Sequence, residues 1–319
     1  MTHSPDGLSE PIPTIPPTPR TRFAPSVTGH LHLGHIVNAV YVWGIGHGRG
    51  GTVVLRLEDH DRTRFKPEFE TSILDDLDWL GLVSDGGTTA EFRSGGSEFR
   101  QSDNADRYQR ALDALSHRGL VYVCDCRRAD REPPDADGAN EPCYPGICRD
   151  RALDDGPGRR PRIRMDPGIE GFRDLALGPQ HQDPASQCGD LVARDAAGNW
   201  SYQFAVTVDD AVHRIDLVIR GRDLLGSTGR QIRLARLLGR DTPPAYYHHP
   251  LVIGADGRKL SKREFAKGIR DLRAEGRSPE SVLGEAAYLG GLLPAPRDLP
   301  ASELPDLFAK IESISAMGH

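Results

Sequence analysis

The chain has 319 residues and a mass of 34.9 kDa, enough for one large domain or two ordinary ones. Its 40 basic and 46 acidic side chains give a net charge of −6, which excludes the overall basic character of a general nucleic-acid binder but leaves room for a local basic groove. No segment approaches the ~20 apolar residues of a membrane span, and the first twenty residues lack the apolar core of a signal peptide. We therefore expect a cytoplasmic protein without a membrane partner.

The first third of the chain alternates between predicted strands and helices. Residues 1–20 are rich in proline and are predicted to form a disordered or extended tail. A short strand at 22–24, a helix over 34–43, a buried strand at 52–58 and a helix from Pro67 follow. The apolar stripe of that last helix consists of Ile73, Leu74, Leu77 and Leu80. This order predicts that residues 21–121 are the first half of an α/β domain with a parallel sheet.

The middle of the chain has a different composition. Residues 122–189 are rich in Arg, Asp, Gly and Pro and contain a cluster of cysteines, which predicts an insertion with its own small fold. The strand and helix pattern returns over 190–253, the predicted second half of the sheet domain. Its elements are strands at 215–220 and 246–253 and a helix over 223–238. Residues 254–319 are predicted to be a charged loop followed by a helical extension that fades near Ser302.

Two histidines stand where the first strand turns into the first helix. His32 and His35 are three residues apart, so they share one face of the helical start, and Gly34 leaves room for a nucleotide to approach the backbone. Backbone N–H groups and the helix dipole attract phosphate at such a turn, and imidazoles could stabilise charge that develops there. Isolated histidines at this spacing more often cap a helix or face solvent. Their position after the loop at 26–29 favours catalysis and ATP binding by this segment.

Two lysines form the second constellation. Only five of the 40 basic side chains are lysines, and Lys259 and Lys262 share one loop after the last predicted strand. An ammonium on a flexible stem suits a mobile phosphate clamp better than a guanidinium fork does. A solvated charged loop is the alternative for the lysines alone. Combined with the histidine motif, they predict a nucleotide site in which both lysines are catalytic and Lys262 binds ATP.

These two motifs, H-L-G-H and K-L-S-K-R, resemble the two signatures of class I aminoacyl-tRNA synthetases. Four further segments resemble the glutamyl branch of that family, and they are R-F-A-P-S at 22–26, R-L-E-D-H-D at 56–61, Y-Q-F-A-V-T-V-D-D at 202–210 and V-I-R-G-R-D-L at 218–224. The resemblance spans roughly residues 21–263 and implies a ligase with a Rossmann-type catalytic core. Val27 stands where that branch usually has a proline.

The resemblance also implies a glutamate pocket. In that branch the residues that match Arg22 and Arg220 hold carboxylates of the bound glutamate, and the one that matches Glu58 accepts from its α-ammonium. Tyr202 is expected to line the pocket. The segment expected to form its wall consists of Arg22, Phe23, Ala24, Pro25 and Ser26. Two guanidinium groups and one carboxylate suit the binding of a dicarboxylate amino acid, although each residue alone could be an ordinary ion-paired side chain.

Four cysteines lie between positions 124 and 148. In a cytosolic chain such crowding favours metal binding over disulfides, and the four thiolates could form a tetrahedral zinc site that stabilises a small insertion. The spacing also resembles that of glutamyl-Q tRNA(Asp) synthetases, a short group within the glutamyl branch, in which a tyrosine is the fourth ligand. This implies one structural Zn²⁺ on Cys124, Cys126, Tyr144 and Cys148. Cys143 competes as the fourth ligand, and reduced cysteines without metal are the remaining alternative.

The resemblance to that short group implies the activity. Such enzymes activate L-glutamate with ATP and Mg²⁺ and transfer it to the queuosine base at the wobble position of tRNA(Asp). The expected partners are therefore ATP, L-glutamate and the anticodon stem-loop of tRNA(Asp), and we expect a monomer. Only the 56 residues 264–319 follow the K-L-S-K-R motif, fewer than an anticodon-reading domain of ~100 residues would need.

Other interpretations stay open at this point. A truncated glutamyl-tRNA synthetase would charge a tRNA 3′ end, and a catalytically dead, zinc-stapled relative would only bind RNA. The arginines between residues 149 and 164 could track an RNA backbone or lie in a solvated loop.

Overall fold

The central sheet joins strands from distant parts of the chain. The computed structural model describes residues 14–127, 143–251 and 267–309. Its strands are β1 (Arg20–Phe23), β2 (Thr52–Leu55), β3 (Val121–Cys124), β4 (Arg160–Ile163), β5 (Glu170–Asp174), β6 (Gly178–Gln182), β7 (Leu191–Val192), β8 (Leu217–Gly221) and β9 (Ala245–His249). The pairs β1–β2, β8–β9 and β5–β9 are parallel, and β6 pairs antiparallel with β5. The N–H of Asp216 donates to the carbonyl of Arg20 (3.0 Å), which places β1 beside β8.

Helices cover this sheet and complete the predicted α/β fold, which is confirmed. They are α1 (Leu33–Gly48), α2 (Pro67–Leu80), α3 (Thr89–Ser94), α4 (Ala105–His117), α5 (Pro184–Cys188), α6 (Tyr202–Val212), α7 (Thr228–Leu237), α8 (Ile269–Ala274) and α9 (Pro279–Leu289). The helix predicted over 223–238 begins instead with a 3-10 turn at Arg222–Ser227 and becomes α-helical from Thr228.

Helix α1 crosses the hydrophobic core and carries the histidines to the edge of the sheet. Its residues from Ile36 to Gly46 are almost all buried. Gly46 allows close contact with the sheet, because a Cβ there would come 2.8 Å from a methyl group of Val53. The helix therefore packs directly on β1 and β2, and its N-terminus lies where β1 ends.

The insertion is less separate than its composition predicts. β3, β4 and β7 form a small sheet of their own, and β7 already lies beyond residue 189. The hairpin β5–β6 instead extends the central sheet, because Asp174 at the end of β5 pairs with Tyr246 in β9. Composition did not predict that β5 joins the central sheet, because the buried residues of this strand are the acids Glu170 and Asp174. Arg233 of α7 ion-pairs with the first, and His248 of β9 hydrogen-bonds the second.

The C-terminal extension packs against α1. Pro279 begins α9 rather than interrupting a helix, and the hydroxyl of Tyr41 in α1 donates to the carbonyl of Gly290 just after it (2.6 Å). The extension continues past Ser302, where it is predicted to fade, and two 3-10 turns bring Phe308 against Gly44 of α1.

Some predicted segments fall outside the described residues. They include residues 1–13 of the predicted tail and the loop with Lys259 and Lys262. The described part of the tail differs from a disordered segment in two respects, since Ile15 packs against the core and β1 already begins at Arg20. Among the described residues, no helix combines the length and apolar character that crossing a membrane requires.

Candidate active site

His32 and His35 cap the N-terminus of α1. The backbone N–H of Gly34 donates to Nδ1 of His32, and the backbone N–H of His32 donates to Nδ1 of His35, both at 3.1 Å. Because both Nδ1 atoms accept, the proton of each neutral ring lies on Nε2. Burial lowers the pKa of His32, and burial together with the neighbouring His32 lowers the pKa of His35 to about 3. At neutral pH these rings are therefore uncharged donors at a helix N-terminus.

A cavity of about 820 Å³ opens beside these histidines, where the segments that follow β1, β8 and β9 meet. Its walls include the described residues of the predicted glutamate and ATP sites, which are Arg22, Phe23, Ala24, Pro25, Ser26, His32, Gly34, His35, Glu58, Tyr202 and Arg220. The carboxyl ends of parallel strands are the usual place for a ligand in an open α/β sheet. The fold thus brings the two predicted half-sites into one space.

One buried ion-pair network holds Arg22 and Glu58. Nε of Arg22 lies 3.1 Å from Oδ1 of Asp210. The fully buried Arg56 donates to that same oxygen (2.7 Å) and to Oε1 of Glu58 (3.0 Å). Burial alone would raise the pKa of Asp210, but Arg22 and Arg56 outweigh it and lower the pKa to about 2. The network thereby fixes the position of a cation relative to an anion on the cavity wall.

Backbone hydrogen bonds align the loop after β1 with the segment after β2. The N–H of Glu58 donates to the carbonyl of Pro25 (3.0 Å), and the N–H of Val27 donates to the carbonyl of Glu58 (3.2 Å). Ser26 consequently lies opposite Glu58. A proline at position 27 has no N–H and could not make the second bond. Val27 therefore makes a backbone hydrogen bond to Glu58 that a proline could not make.

Arg220 reaches the cavity from β8 and has neutral partners. Its Nε donates to Nε2 of His248 (3.0 Å), Nη1 to Oε1 of Gln231 (2.7 Å) and Nη2 to Oγ1 of Thr228 (2.8 Å). Among the described residues, no carboxylate forms an ion pair with this guanidinium, although only 3% of the residue is exposed. A buried cation without an anion favours binding of a negatively charged ligand.

Tyr202 is the first residue of α6. The helix starts there because Oγ of Ser201 accepts from the N–H of Phe204 (3.3 Å) and so caps it. Burial and the nearby Glu58 raise the pKa of Tyr202, so its phenol is protonated and able to donate a hydrogen bond to a ligand.

Sequence reasoning missed five polar residues of the wall, which are Asn38, His60, Arg64, Asp223 and His249. Oδ1 of Asn38 lies 3.2 Å from Nε2 of His249, whose ring stacks on Tyr41 at a centroid distance of 4.9 Å. A signal for Asn38 was available, since it lies one helical turn after His35. Asp223 and His249 stand at the carboxyl ends of β8 and β9, where ligand contacts are expected once the strand order is known.

Of the described residues that flank segment 252–266, one lines the cavity and another contacts His32 of its wall. Leu251 lines it, and Gly268 forms a bridge with His32, while the N–H of Ile269 donates to the carbonyl of Leu31 (2.8 Å). Lys259 and Lys262 belong to that segment, outside the described residues.

The family model for the catalytic domain of class I tRNA synthetases (E and Q) matches residues 19–299. The chain belongs to this family. It is therefore a ligase of the glutamyl-tRNA synthetase type.

Similar proteins support this membership. A glutamyl-Q tRNA(Asp) synthetase of Symbiobacterium thermophilum is 40% identical over 298 residues, which are 90% of this chain and 91% of that protein. One from Geobacter sulfurreducens is 42% identical over 296 residues, 89% of this chain and 88% of that protein. A crystal structure of a glutamate tRNA ligase from Elizabethkingia meningosepticum in complex with its amino acid superposes with a TM-score of 0.73 at 27% identity. That match covers 90% of this chain but only 64% of the ligase, which is under two thirds of its length.

In this synthetase three thiols converge within the insertion. The Sγ atoms of Cys124, Cys126 and Cys148 all lie within 4.8 Å of one another. The hydroxyl of Tyr144 is 3.5 Å from Sγ of Cys124 and 3.8 Å from Sγ of Cys126, and it accepts from the N–H of Cys148 (2.9 Å). Buried, converging sulfur donors suit a soft or borderline cation. These three cysteines could therefore hold a metal ion.

Cys143 lies outside that group of thiols. Its Sγ is 3.7 Å from the carbonyl oxygen of Ala185 in α5, and the side chain is half-buried. The neighbouring Tyr144 is instead covered by the guanidinium of Arg162, whose Cζ is 3.6 Å from the ring centroid. Of the two competing residues, Tyr144 is thus the one whose donor atom faces the thiols.

The arginines between residues 149 and 164 hold the insertion together. Arg149 ion-pairs with Asp190, and Arg151 ion-pairs with Asp125. The others donate to backbone carbonyls, namely Arg159 to Asp154, Arg160 to Cys126, Arg162 to Asp190 and Arg164 to Arg149. Residues 150–158 lie outside helices and strands and are mostly exposed, as expected for a solvated loop, but the arginines in and beside this loop are engaged by groups of the insertion.

Proposed function

We propose that this synthetase activates L-glutamate with ATP to form glutamyl-adenylate and transfers the glutamyl group to the queuosine base at the wobble position of tRNA(Asp). Relatives named glutamyl-Q tRNA(Asp) synthetases that match about nine tenths of both chains support the acceptor. The observation that carries the activation step is the single cavity, which combines Arg22, Glu58 and Arg220 with the two imidazoles of the α1 cap.

The amino-acid side of the cavity matches the charges of glutamate, which has two carboxylates and one ammonium at neutral pH. Arg220 has no carboxylate partner in the described chain and offers its charge to one carboxylate, and Arg22 faces the other. Oε1 of Glu58 is engaged by Arg56, which leaves Oε2 to accept from the ammonium. Glutamine would leave a buried guanidinium without its anion, so such a pocket rejects it.

The phosphate side performs the displacement. The α-carboxylate of glutamate attacks the α-phosphorus of ATP in line, and pyrophosphate leaves. His32 and His35 donate their Nε2 protons as hydrogen bonds to phosphate oxygens on which charge grows, and as neutral rings they need no proton uptake to do so. We assign Lys259 and Lys262, which lie outside the described residues, to the stabilisation of phosphate charge, because an ammonium group on a flexible stem suits this role. Mg²⁺, which accompanies ATP, would neutralise charge on the pyrophosphate.

We further propose that Cys124, Cys126, Cys148 and Tyr144 would hold a structural Zn²⁺. The convergence of three thiols and one phenol in a buried pocket supports this ligand set. The ion would link the end of β3 to the loop at 143–148 and so stabilise an insertion with a small core.

Glutamate-dependent exchange of pyrophosphate into ATP, measured without tRNA, tests the activation step. We expect exchange with glutamate and none with glutamine. Lys262→Ala should depress exchange far more than it weakens glutamate binding, whereas Lys66→Ala, a surface control, should change neither. Equal losses of exchange and binding in Lys262→Ala would remove its role, and a complete lack of exchange in the unaltered protein would indicate an RNA-binding relative without activity.

Transfer of labelled glutamate to purified tRNAs tests the acceptor. Queuosine-containing tRNA(Asp) should be labelled in its anticodon loop, and tRNA(Glu) should stay unlabelled. Glutamate at the base should also protect the diol of queuosine from periodate. A glutamate–tRNA ligase of Syntrophus aciditrophicus is 37% identical to this chain, which favours 3′-end charging as the second candidate. Labelling of tRNA(Glu) at its 3′ end would support that candidate and contradict the proposal.

A further inference from the structure

A buried carboxylate and an imidazole stand behind Arg220. Oδ2 of Asp174 lies 2.6 Å from Nδ1 of His248, and Nε2 of His248 accepts from Nε of Arg220 (3.0 Å). The side chains of His248 and Asp174 are fully buried. The order carboxylate, imidazole, guanidinium therefore runs from the interior toward the cavity, and Arg220 is its only member on the cavity wall among these three.

The hydrogen bonds define one tautomer of His248. A guanidinium nitrogen only donates, so Nε2 must be the acceptor, and Nδ1 then carries the proton that Asp174 accepts. Burial lowers the pKa of His248 despite the adjacent carboxylate, in agreement with a neutral ring. The ring also lies parallel to Tyr246, with an interplanar angle of 8° and a centroid distance of 6.1 Å. The imidazole is thus fixed in both orientation and protonation.

The positive charges of the two arginines in the proposed glutamate pocket have different partners. Arg22 contacts a carboxylate directly, since its Nε is 3.1 Å from Asp210. Hydrogen bonds connect Arg220 to the anion Asp174 through the imidazole of His248, which lies between the two. A direct ion pair would satisfy the guanidinium, whereas a neutral imidazole orients it and leaves most of its charge for a ligand.

We propose that Asp174 and His248 are positioning residues that aim Arg220 at a substrate carboxylate and keep its counter-charge at a distance, which makes this arginine the one that distinguishes glutamate from glutamine. This rests on the proposed function. Neither residue touches the substrate, so both act through Arg220. The remaining nitrogens of Arg220 are oriented in the same way by the neutral side chains of Gln231 and Thr228.

Asp174→Asn is the sharpest test because the shape of the side chain is retained. The N–H groups of Ala176 and Leu177 donate to Oδ1 of Asp174 (3.0 and 2.9 Å), so the asparagine must keep its oxygen there. The NH₂ group of the asparagine then faces Nδ1 of His248, which must become an acceptor. The imidazole proton moves to Nε2, where it points at the Nε–H of Arg220 and replaces the hydrogen bond by a repulsive contact. We expect KM for glutamate to rise ~10-fold or more and the preference for glutamate over glutamine to fall similarly, with KM for ATP unchanged.

Variants of His248 separate positioning from folding. His248→Gln can place its amide oxygen near the former Nε2 and accept from Arg220, so it should retain most of the preference for glutamate. His248→Ala should lose it. In the His248→Gln background the additional change Asp174→Asn should have little further effect, because no ring tautomer remains to be reversed. Melting temperatures identify any variant that merely unfolds.

Pyrophosphate exchange and calorimetric binding of glutamate and of glutamine should both be measured. The proposal is overturned if Asp174→Asn folds and keeps its discrimination, if it changes the KM values for ATP and glutamate equally, or if His248→Gln behaves like His248→Ala. If the unaltered protein catalyses pyrophosphate exchange and the variants keep its KM values and discrimination, only the positioning roles are refuted. An unaltered protein that neither exchanges with nor binds glutamate would refute the proposed function and this inference with it.

Discussion

Arg56 and Asp210 are 154 residues apart in the chain, yet Nη1 of the arginine lies 2.7 Å from Oδ1 of the aspartate. Arg56 is fully buried and also contacts Glu58, while Asp210 also contacts Arg22. This one pair therefore connects Arg22 and Glu58, the cation and the anion of the proposed amino-acid pocket. We therefore expect glutamate recognition to depend on Arg56 and Asp210, neither of which lines the cavity.

Replacing Arg56 with methionine should destabilise the protein by about 3–5 kcal/mol, because the carboxylates of Glu58 and Asp210 lose a buried partner. The free energy of unfolding in urea measures this change, and KM for glutamate should rise because Glu58 loses its orientation. Arg93→Met is a matched control, since Arg93 forms exposed ion pairs with Asp75 and Asp78, and it should cost less than about 1 kcal/mol. Equal stabilities for the two variants would contradict a structural role of the network.

Acid should destabilise the protein well before its carboxylates are titrated. Burial, helped by Arg56, lowers the pKa of His213 to about 4, so the folded state keeps this ring neutral while the unfolded chain takes up a proton below pH ~6.5. Stability is therefore lost as the pH falls from about 6.5 toward 4. The pKa of Asp210 is depressed to about 2, so its contribution is present above pH ~4 and is lost only between about 4 and 2.

Urea unfolding at a series of pH values checks this sign. His213→Gln should reduce the slope between pH 4 and 6.5 by up to one proton, which corresponds to ~1.4 kcal/mol per pH unit. His213 does not line the proposed substrate cavity, so glutamate-dependent exchange at pH 7.5 should stay near its original rate. An unchanged slope would show that this ring titrates normally in the folded protein.

Part of the cavity wall was predictable because its residues lie in motifs that resemble those of the glutamyl branch, whereas Asn38, Asp223 and His249 were not predicted. Arg22, Glu58 and Arg220 belong to segments whose motifs are local, and parallel strands bring their carboxyl ends together. Asp210 and Arg56 stood in the same motifs, yet nothing local indicates that they pair, since their contact depends on how β2 and α6 pack. The same holds for His248, whose partner Asp174 comes from the inserted hairpin.

The composition of the insertion predicts only part of its structure. Its polar, glycine-rich character predicted a separate small fold, and β3, β4 and β7 agree with that. β5 and β6 do not, because their buried acids are met by Arg233, Arg236 and His248 of the core domain. Ion pairs with Glu170 and a hydrogen bond to Asp174 from other elements allow a polar strand to join the central sheet, and the pattern of a single sequence does not reveal such contacts.

The two functions of His32 can be separated by substitution. His32→Asn keeps a side-chain acceptor for the N–H of Gly34, so the α1 cap should remain. It removes the Nε2 donor, and we expect pyrophosphate exchange to fall by roughly 10²-fold or more with glutamate binding retained. His32→Ala should show the same kinetic loss and an additional ~0.5–2 kcal/mol loss of stability. A fully active His32→Asn variant would reduce this histidine to a helix cap.

Metal content distinguishes Tyr144 from Cys143 as the fourth ligand. Cys148→Ala should abolish stoichiometric zinc, because it removes one of three converging thiols. Tyr144→Phe retains the ring under Arg162 but lacks the oxygen, so zinc should be lost to a weaker chelator than the unaltered protein requires. Cys143→Ala should keep its zinc, since Cys143 contacts the carbonyl of Ala185. Zinc loss in Cys143→Ala with retention in Tyr144→Phe would reverse the assignment.

Gly189 should control the same metal site from a distance. Its backbone has φ of 65°, and a Cβ there would come 2.0 Å from the carbonyl oxygen of Tyr144, with which Gly189 forms a parallel bridge. Gly189→Ala must therefore push Tyr144 away from the thiols, and bound zinc should fall while the cysteines are intact. Gly178→Ala is the matched control, since its φ of 76° imposes similar strain but its Cβ meets open space. Because both variants carry the backbone penalty, any zinc lost only from Gly189→Ala must come from displacing Tyr144.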